Sequence, residues 1–443
     1  MAGREEMKAL VGKEIDSHAD EIIGVARAVW ATPEPGFREE RTSRYISQKL
    51  RDLGIPHRGG IALTGIKGYL SGEAGPGPTV AVLGELDSLI VPGHPEADPR
   101  TGAVHACGHH GQLGMLIGVA LGLQARGVLK GLCGRVALMA VPAEEYIEIE
   151  WRDELRRQGK VQFLGGKPEF IRLGEFDDVD MAMMTHVTSE SAENPLTMSH
   201  TSNGIVAKRI QFLGRAAHAG SAPWAGINAL NAAMIALQAI HSQRETFKDQ
   251  DTIRVHPIIT QGGTAVNSVP ADVRMETFVR GRTTQAIADA DAKVDRCLRA
   301  GAMAVGGKVR IVTLPGYMPM VTNPHMADLW RQNAATLVGE ENVGEGRHRT
   351  ASTDMGDVMH IMPAIHPFSG GAVGNHHGAD FYIKDWDLAV IKGAKAMALT
   401  VVDLLAEGAA KALDVKARSA PSMTKEQYLA FMQGIFKEKV YEE

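Results

Sequence analysis

The chain has 443 residues, with 47 Lys and Arg against 52 Asp and Glu for a formal net charge of −5. That balance, with a pI near 6.4, gives no electrostatic attraction to nucleic acid or an anionic membrane, and no run of about 18 apolar residues offers a spanning helix. The length exceeds what one hydrophobic core usually serves and predicts two domains, while three cysteines, Cys107, Cys133 and Cys297, are too few for a disulfide framework.

The opening residues mix charged and apolar positions at helical spacing. They lack the apolar stretch and small-residue cleavage site of a signal peptide, so a cytoplasmic protein is expected. A helix is predicted from about residue 12 to 30, a turn over 32–36, and a second amphipathic helix over about 39–53. Residues 79–83 and 135–141 are short apolar, β-branched runs, the pattern of strands covered on both faces. The Leu-, Gly- and Ala-rich segment 108–127 between them reads as a buried helix, and strand, loop, helix, strand is the rhythm of an α/β domain. The dense charge run over 148–160 reads as a solvated helix face.

A second pattern follows: strand (205–212), helix (225–242), strand (252–259), strand (272–279), helix (284–305), strand (308–313). This β-α-β-β-α-β order is ferredoxin-like. It predicts an inserted α+β domain at 203–313, interrupting a mostly parallel-sheet domain made of 1–202 and 314–443. The apolar segment 386–407 predicts a final buried helix, and the last twenty residues, being charged, are expected at the periphery. Cys133 and Cys297 lie in apolar or amphipathic stretches and read as small core residues.

Glu85 and Asp87 emerge at the carboxyl end of the first predicted strand, where open α/β sheets place their ligand sites. His105-Ala106-Cys107-Gly108-His109-His110 follows. Cys107 and His109 are two apart, so in an extended loop both reach one ion, and thiolate with imidazole suits zinc and its borderline neighbours. Asp87 is placed to fix the tautomer of a ligating histidine. Any one of these residues alone would read as core or surface; the glycine-flanked cluster reads as a metal site. Glu144 and Glu145 end the next apolar strand, where one carboxylate can ligate while the other moves the proton of an acidified water. His186 ends another strand-like run, and His376-His377 stands between Gly374 and Gly378 before the last helix. Thr353 and Asp354 read as caps of a helix starting at about Met355. Two other function classes compete. A non-catalytic metal-binding scaffold has no need of Glu144, and a redox enzyme built on Cys107 lacks a second cysteine nearby.

With these residues in view the chain resembles the peptidase M20 family, in particular its amidohydrolase branch of aminoacylase-like and aminobenzoyl-glutamate-hydrolase-like enzymes. The likeness rests on GELDSL (84–89), HACGH (105–109), PAEE (142–145), TH (185–186), GRAAHAGSAP (214–223), GGTAVNSVP (262–270), STDMGDV (352–358) and HHGADF (376–381). It implies one or two divalent ions, zinc or manganese with cobalt as an alternative, held by Cys107, His109, Glu145, His186 and His377. Glu144 would be the general base and then the acid, with Asp87, His110 and His376 standing behind the ligands. The insertion would be a lid through which a homodimer forms. His218 would reach across that interface to steady the oxyanion, and Asn267, Arg280 and Arg215 would meet a small substrate bearing a carboxylate. The implied reaction is hydrolysis of the amide of an N-acyl or N-aroyl amino acid.

The chain departs from the family pattern at His110, where an acidic residue is usual, at Glu85 and Ser88, and over Tyr146–Trp151, where glycines are expected. Relatives such as 5-nitroanthranilate aminohydrolase remove an amine from an activated aromatic ring, and that chemistry is the alternative activity.

Overall fold

The computed structural model describes residues 3–189 and 195–442. The runs Thr79–Glu85 and Arg135–Val141 lie side by side as parallel strands, and every residue of the first is buried. Met181–Met183 and Ala364–Ile365 continue the parallel pairing on one side. On the other, the antiparallel ribbon His57–Ile61 and Gly65–Ser71 completes a six-stranded mixed sheet. The two-sided apolar pattern follows from helices covering the parallel strands.

The helix His109–Leu123 has no polar stripe because no face of it meets water, and all its residues are buried. It packs between the sheet and the helices Arg4–Ser17, Ala19–Trp30 and Gly393–Leu405. Its glycines set the spacing. A Cβ at Gly114 would lie 3.1 Å from Ala26 Cβ, and one at Gly118 2.9 Å from Ala394 Cβ, so a larger residue would force the helices apart. The single helix expected over 12–30 is two, broken at His18, where Ser17 Oγ and His18 Nδ1 both bond Glu14 O and terminate the first. Cys133 and Cys297 are buried as expected. No helix among the described residues is long and apolar enough to cross a membrane.

The second sheet is antiparallel and ferredoxin-like: Gly204–Leu213 lies between Asp272–Gly281 and Lys308–Pro315, with helices Ala229–Ser242 and Thr284–Ala304 against it. The strand expected over 252–259 is two short pieces, Arg254–Val255 and Ile258–Gln261, because Pro257 has no N–H to continue the ladder along Asp272–Gly281.

The charged tail lies at the periphery but as ordered structure: Lys425–Ile435 is a capped helix whose Tyr428 and Met432 are buried, and Lys437–Glu442, almost wholly exposed, is the edge strand of the second sheet beside Lys308–Pro315. The charge run is only in part a solvated face. Its helix, Ile149–Arg157, is an ionic seam between the sheets. Arg152 is buried and donates to the carbonyls of Ala143 and Leu164, Asp153 pairs with Arg156, Arg157 and Arg209, and Glu150 pairs with Arg209 and Arg274. These contacts bury Arg152 and Asp153, while Glu150, Glu154 and residues 157–160 stay exposed.

Candidate metal centre and its cavity

The metal-type side chains all stand at the carboxyl ends of central strands or in loops beside them. Gly108, in the left-handed region at φ +101°, turns the chain from the His105–Cys107 loop into the helix that begins at His109. After Val141, Ala143 adopts a left-handed φ of +55° that a Cβ disfavours. The turn is held from three sides: Ala143 N donates to Glu39 Oε1 at 2.8 Å, Glu145 N donates to Asp87 Oδ2 at 2.9 Å, and the Tyr317 hydroxyl donates to Glu144 O. His377 is also left-handed, and its amide donates to Ala106 O at 2.9 Å, tying the late histidine to the cysteine loop.

Two groups result. Cys107, His109 and His186 bring ligand atoms within 4.8 Å of one another, and so do Cys107, Glu145 and His377, with the sulfur common to both. Cys107 Sγ lies 3.6 Å from His186 Nε2, and His377 Nε2 lies 3.4 Å from Glu145 Oε1. The far nitrogens are committed. His109 Nδ1 donates to Asp87 O at 2.9 Å, with Asp87 Oδ1 3.2 Å away, and His186 Nδ1 donates to Val187 O at 2.6 Å. Nε2 is therefore the nitrogen each of these histidines has left to face an ion. His109 Nε2 and Glu145 Oε1 are buried without a hydrogen bond, which is costly unless a cation receives them. One sulfur, three imidazoles and a carboxylate arranged in two groups fit borderline divalent ions. His376 belongs to neither group and packs on Phe381 and His186. His110 turns away, edge-on to Trp30 at 4.9 Å between ring centroids.

The electrostatics separate the carboxylates. Burial, reinforced by Glu85, Glu145 and Asp354, pushes Glu144 well above the ordinary carboxylate range. Burial also acts on Glu85, but Lys167, His109 and His186 outweigh it and hold Glu85 down at about 2. Burial would raise the Cys107 thiol; His186 and His109 instead bring it well below its usual value.

Sequence reading missed Lys167. It is fully buried, 2.5 Å from Glu85 Oε1, and its ammonium also bonds Asp354. Asp354 stands at the start of the helix Met355–Ile361 but does not cap it: its carboxylate takes both the ammonium and, at 3.0 Å, the amide of Lys167. His366 was missed too. It lines the cavity above the cluster, Nδ1 donating to Met184 O at 3.0 Å. Either could have been suspected only as a lysine or histidine inside an otherwise apolar segment.

The cavity, of about 530 Å³, reaches from Cys107, Glu144, Glu145 and His377 to Arg254, Phe278 and Arg280 of the second sheet. Tyr146 and Ile147, from the segment where glycines were expected, form part of its wall. The structure thus brings Arg280 to the cluster. Among the described residues the wall does not include His218, Asn267 or Arg215 of the same chain. His218 is exposed, and its Nδ1 accepts from the amides of Gly220 and Ser221, both at 3.1 Å, so Nε2 carries the proton and points outward. Asn267 is exposed beside it, and Arg215 donates to Ala225 O at 2.7 Å.

Residues 200–304 match the peptidase dimerisation domain of the M20 family. The Xaa-Arg dipeptidase of Mus musculus is 27% identical over 425 residues, covering 90% of this chain and 89% of its own. Among solved structures, a dinuclear metal-binding peptidase of the M20 family from Bacillus subtilis superposes with a TM-score of 0.63 at 19% identity, covering 88% of this chain and 99% of its own. The aminobenzoyl-glutamate utilization protein of Klebsiella pneumoniae does so with a TM-score of 0.66 at 18% identity, covering 88% and 98%.

Proposed function

We propose that this chain, a hydrolase homologous along most of its length to M20-family peptidases and amidohydrolases, cleaves the amide of a small N-acyl or N-aroyl amino acid bearing a carboxylate. The observation that carries this reading is a buried carboxylate, Glu144, beside two ligand groups that share Cys107, with Cys107, Glu144, Glu145, His186 and His377 facing one cavity with Arg280. Cys107, His109, Glu145, His186 and His377 would hold one or two divalent ions, of zinc, manganese or cobalt. When bound, the metal supplies electrophilic activation of water and of the scissile carbonyl. Glu144 takes the proton of the attacking water and returns it to the departing nitrogen. Its position is fixed from behind by Asp87 through the Glu145 amide and by Tyr317 through its own carbonyl. Arg280 receives the substrate carboxylate.

The segment 203–313 acts as the lid and dimerisation unit. His218 of the partner subunit, its Nε2–H outward, donates to the carbonyl oxygen as negative charge develops there, and Asn267 and Arg215 accompany it at the substrate. A second reading has one observation in its favour. Tyr146, Phe278 and Tyr317 give the cavity an aromatic wall suited to a ring substrate, which keeps hydrolytic deamination of an activated aromatic amine in view.

The test is product analysis on metal-supplemented protein, with and without chelator, against N-acyl amino acids, dipeptides, aminobenzoyl-glutamate and nitro-substituted anthranilates. Chelator-sensitive release of an amino acid with its acid partner is expected. Release of ammonia and a phenol from the ring substrate alone would replace this reading with the second.

A further inference from the structure

We infer that the cavity contains a second anionic subsite, built on Arg254 beside Arg280, for a substrate whose amino-acid portion bears two carboxylates. The inference rests on the proposed amide hydrolysis and narrows its substrate class.

Arg254 and Arg280 are directly opposed in the antiparallel pairing of Arg254–Val255 with Asp272–Gly281. Opposed residues leave the same face of a sheet with Cβ atoms about 5 Å apart, and like charges so placed repel. Both side chains line the cavity that holds Glu144 and Glu145. Neither guanidinium has a carboxylate partner among the described residues. Arg280 donates to Ser352 Oγ at 2.9 Å and lies over the Phe278 ring, while Arg254 donates to the carbonyl of its neighbour Ile253 at 3.0 Å. Outside the cavity, Arg209 of the same sheet pairs with Glu150 and Asp153 and Arg274 with Glu150 and Asp272, while Arg310 has no ion pair among the described residues.

The surroundings make the pair's charge harder to offset. His256, two residues beyond Arg254 and so on the same face, also lines the cavity, and burial with Arg244, Arg280 and Arg254 lowers its proton affinity. The carboxylates in the described cavity wall are Glu144 and Glu145, both engaged at the metal-type cluster. Arg254 is exposed and Arg280 half-buried, so both guanidiniums are open to an anionic ligand. A bidentate pair on each is satisfied by the α-carboxylate and side-chain carboxylate of an aspartate- or glutamate-type residue. Phe278 and Tyr146 are left to cover the acyl or aroyl group.

Rates with N-benzoyl-glutamate and N-benzoyl-glutamine, which keeps the α-carboxylate but has a neutral, isosteric side chain, test this on the metal-loaded protein. The same two compounds are titrated by calorimetry onto the Glu144→Gln variant, where binding is read whether or not the amide is cut. Glutamate is expected to be favoured roughly 10- to 100-fold in kcat/KM and in Kd. Arg254→Gln should bring both ratios to within about threefold of one, and Arg254→Lys, which keeps the charge without the fork, should fall between. A wild-type ratio near one, or a ratio that survives Arg254→Gln, overturns the subsite. Selective binding through Arg254 with no turnover of either compound would keep the subsite and remove the hydrolase reading.

Discussion

Lys167 Nζ lies 2.5 Å from Glu85 Oε1, and neither side chain meets solvent. The same ammonium bonds Asp354, so one buried cation serves two buried carboxylates, and Glu85 in turn stands 3.0 Å from His109 Nε2. Removing the cation strands both acids. Lys167→Met is expected to cost about 3–5 kcal/mol in urea unfolding. The double variant Lys167→Met/Glu85→Gln should recover part of that loss, since it discards one of the stranded charges. A single-variant loss below about 1 kcal/mol would show that the network is not the fastening it looks like on these distances.

Glu144→Gln keeps the shape of the turn after Val141 and removes the base. Turnover is expected to fall roughly 10²- to 10⁴-fold, with metal content, read by atomic emission, unchanged. Retained turnover would take the proton transfer away from Glu144. Lost metal would instead make Glu144 a ligand.

His218 does not line its own chain's cavity, so any site it serves must be elsewhere. His218→Ala and Glu144→Gln homodimers should each be inactive. Mixed one to one and allowed to exchange, they should recover roughly a quarter of wild-type activity, because half the dimers then hold one complete site under two-fold symmetry. A mixture as inactive as its components would mean that His218 does not act across the interface.

Glu39 gives a pH signature separate from catalysis. Its carboxyl is fully buried, bonded by Thr64 and Ala143, and burial with the nearby Asp87 raises its pKa to about 7. A raised carboxyl binds its proton more tightly in the native state, so its contribution to stability is complete below about pH 4.5 and is lost as pH rises through 7. The loss amounts to about 3 kcal/mol by pH 8. Glu39→Gln should flatten denaturant midpoints between pH 5 and 8. An unchanged slope would show that Glu39 does not titrate there.

The sequence made some of this legible and hid the rest for physical reasons. Glu144, Glu145 and His186 follow apolar runs that have to be strands, and strand ends of one parallel sheet converge, while Cys107, His109 and His377 showed themselves as glycine-flanked clusters in loops. Lys167 gave no such sign, because its partners lie 82 and 187 residues away and nothing local distinguishes a lysine that will be buried from one that will not. The helix Ile149–Arg157 misled for the same reason: opposite charges on Gly204–Leu213 and Asp272–Gly281 decide its burial, and composition does not show the pairing. The tail strand was hidden by its alternating lysines and glutamates, ordinary for the edge of a sheet.

That tail has a mechanical consequence. The chain enters the second sheet at Gly204, leaves it after Pro315 and re-enters at Lys437, and these points lie on three neighbouring strands. Val206 is registered with Pro315, and Thr313 with Lys437, so all three crossings fall at one end of the sheet, in a row about 10 Å long at ordinary strand spacing. Two adjacent crossings would act as a swivel. A third in line makes a strip hinge, which still folds about the row but resists twisting along the strands. A swing of the sheet that carries Arg254 and Arg280 is therefore expected to turn about that row.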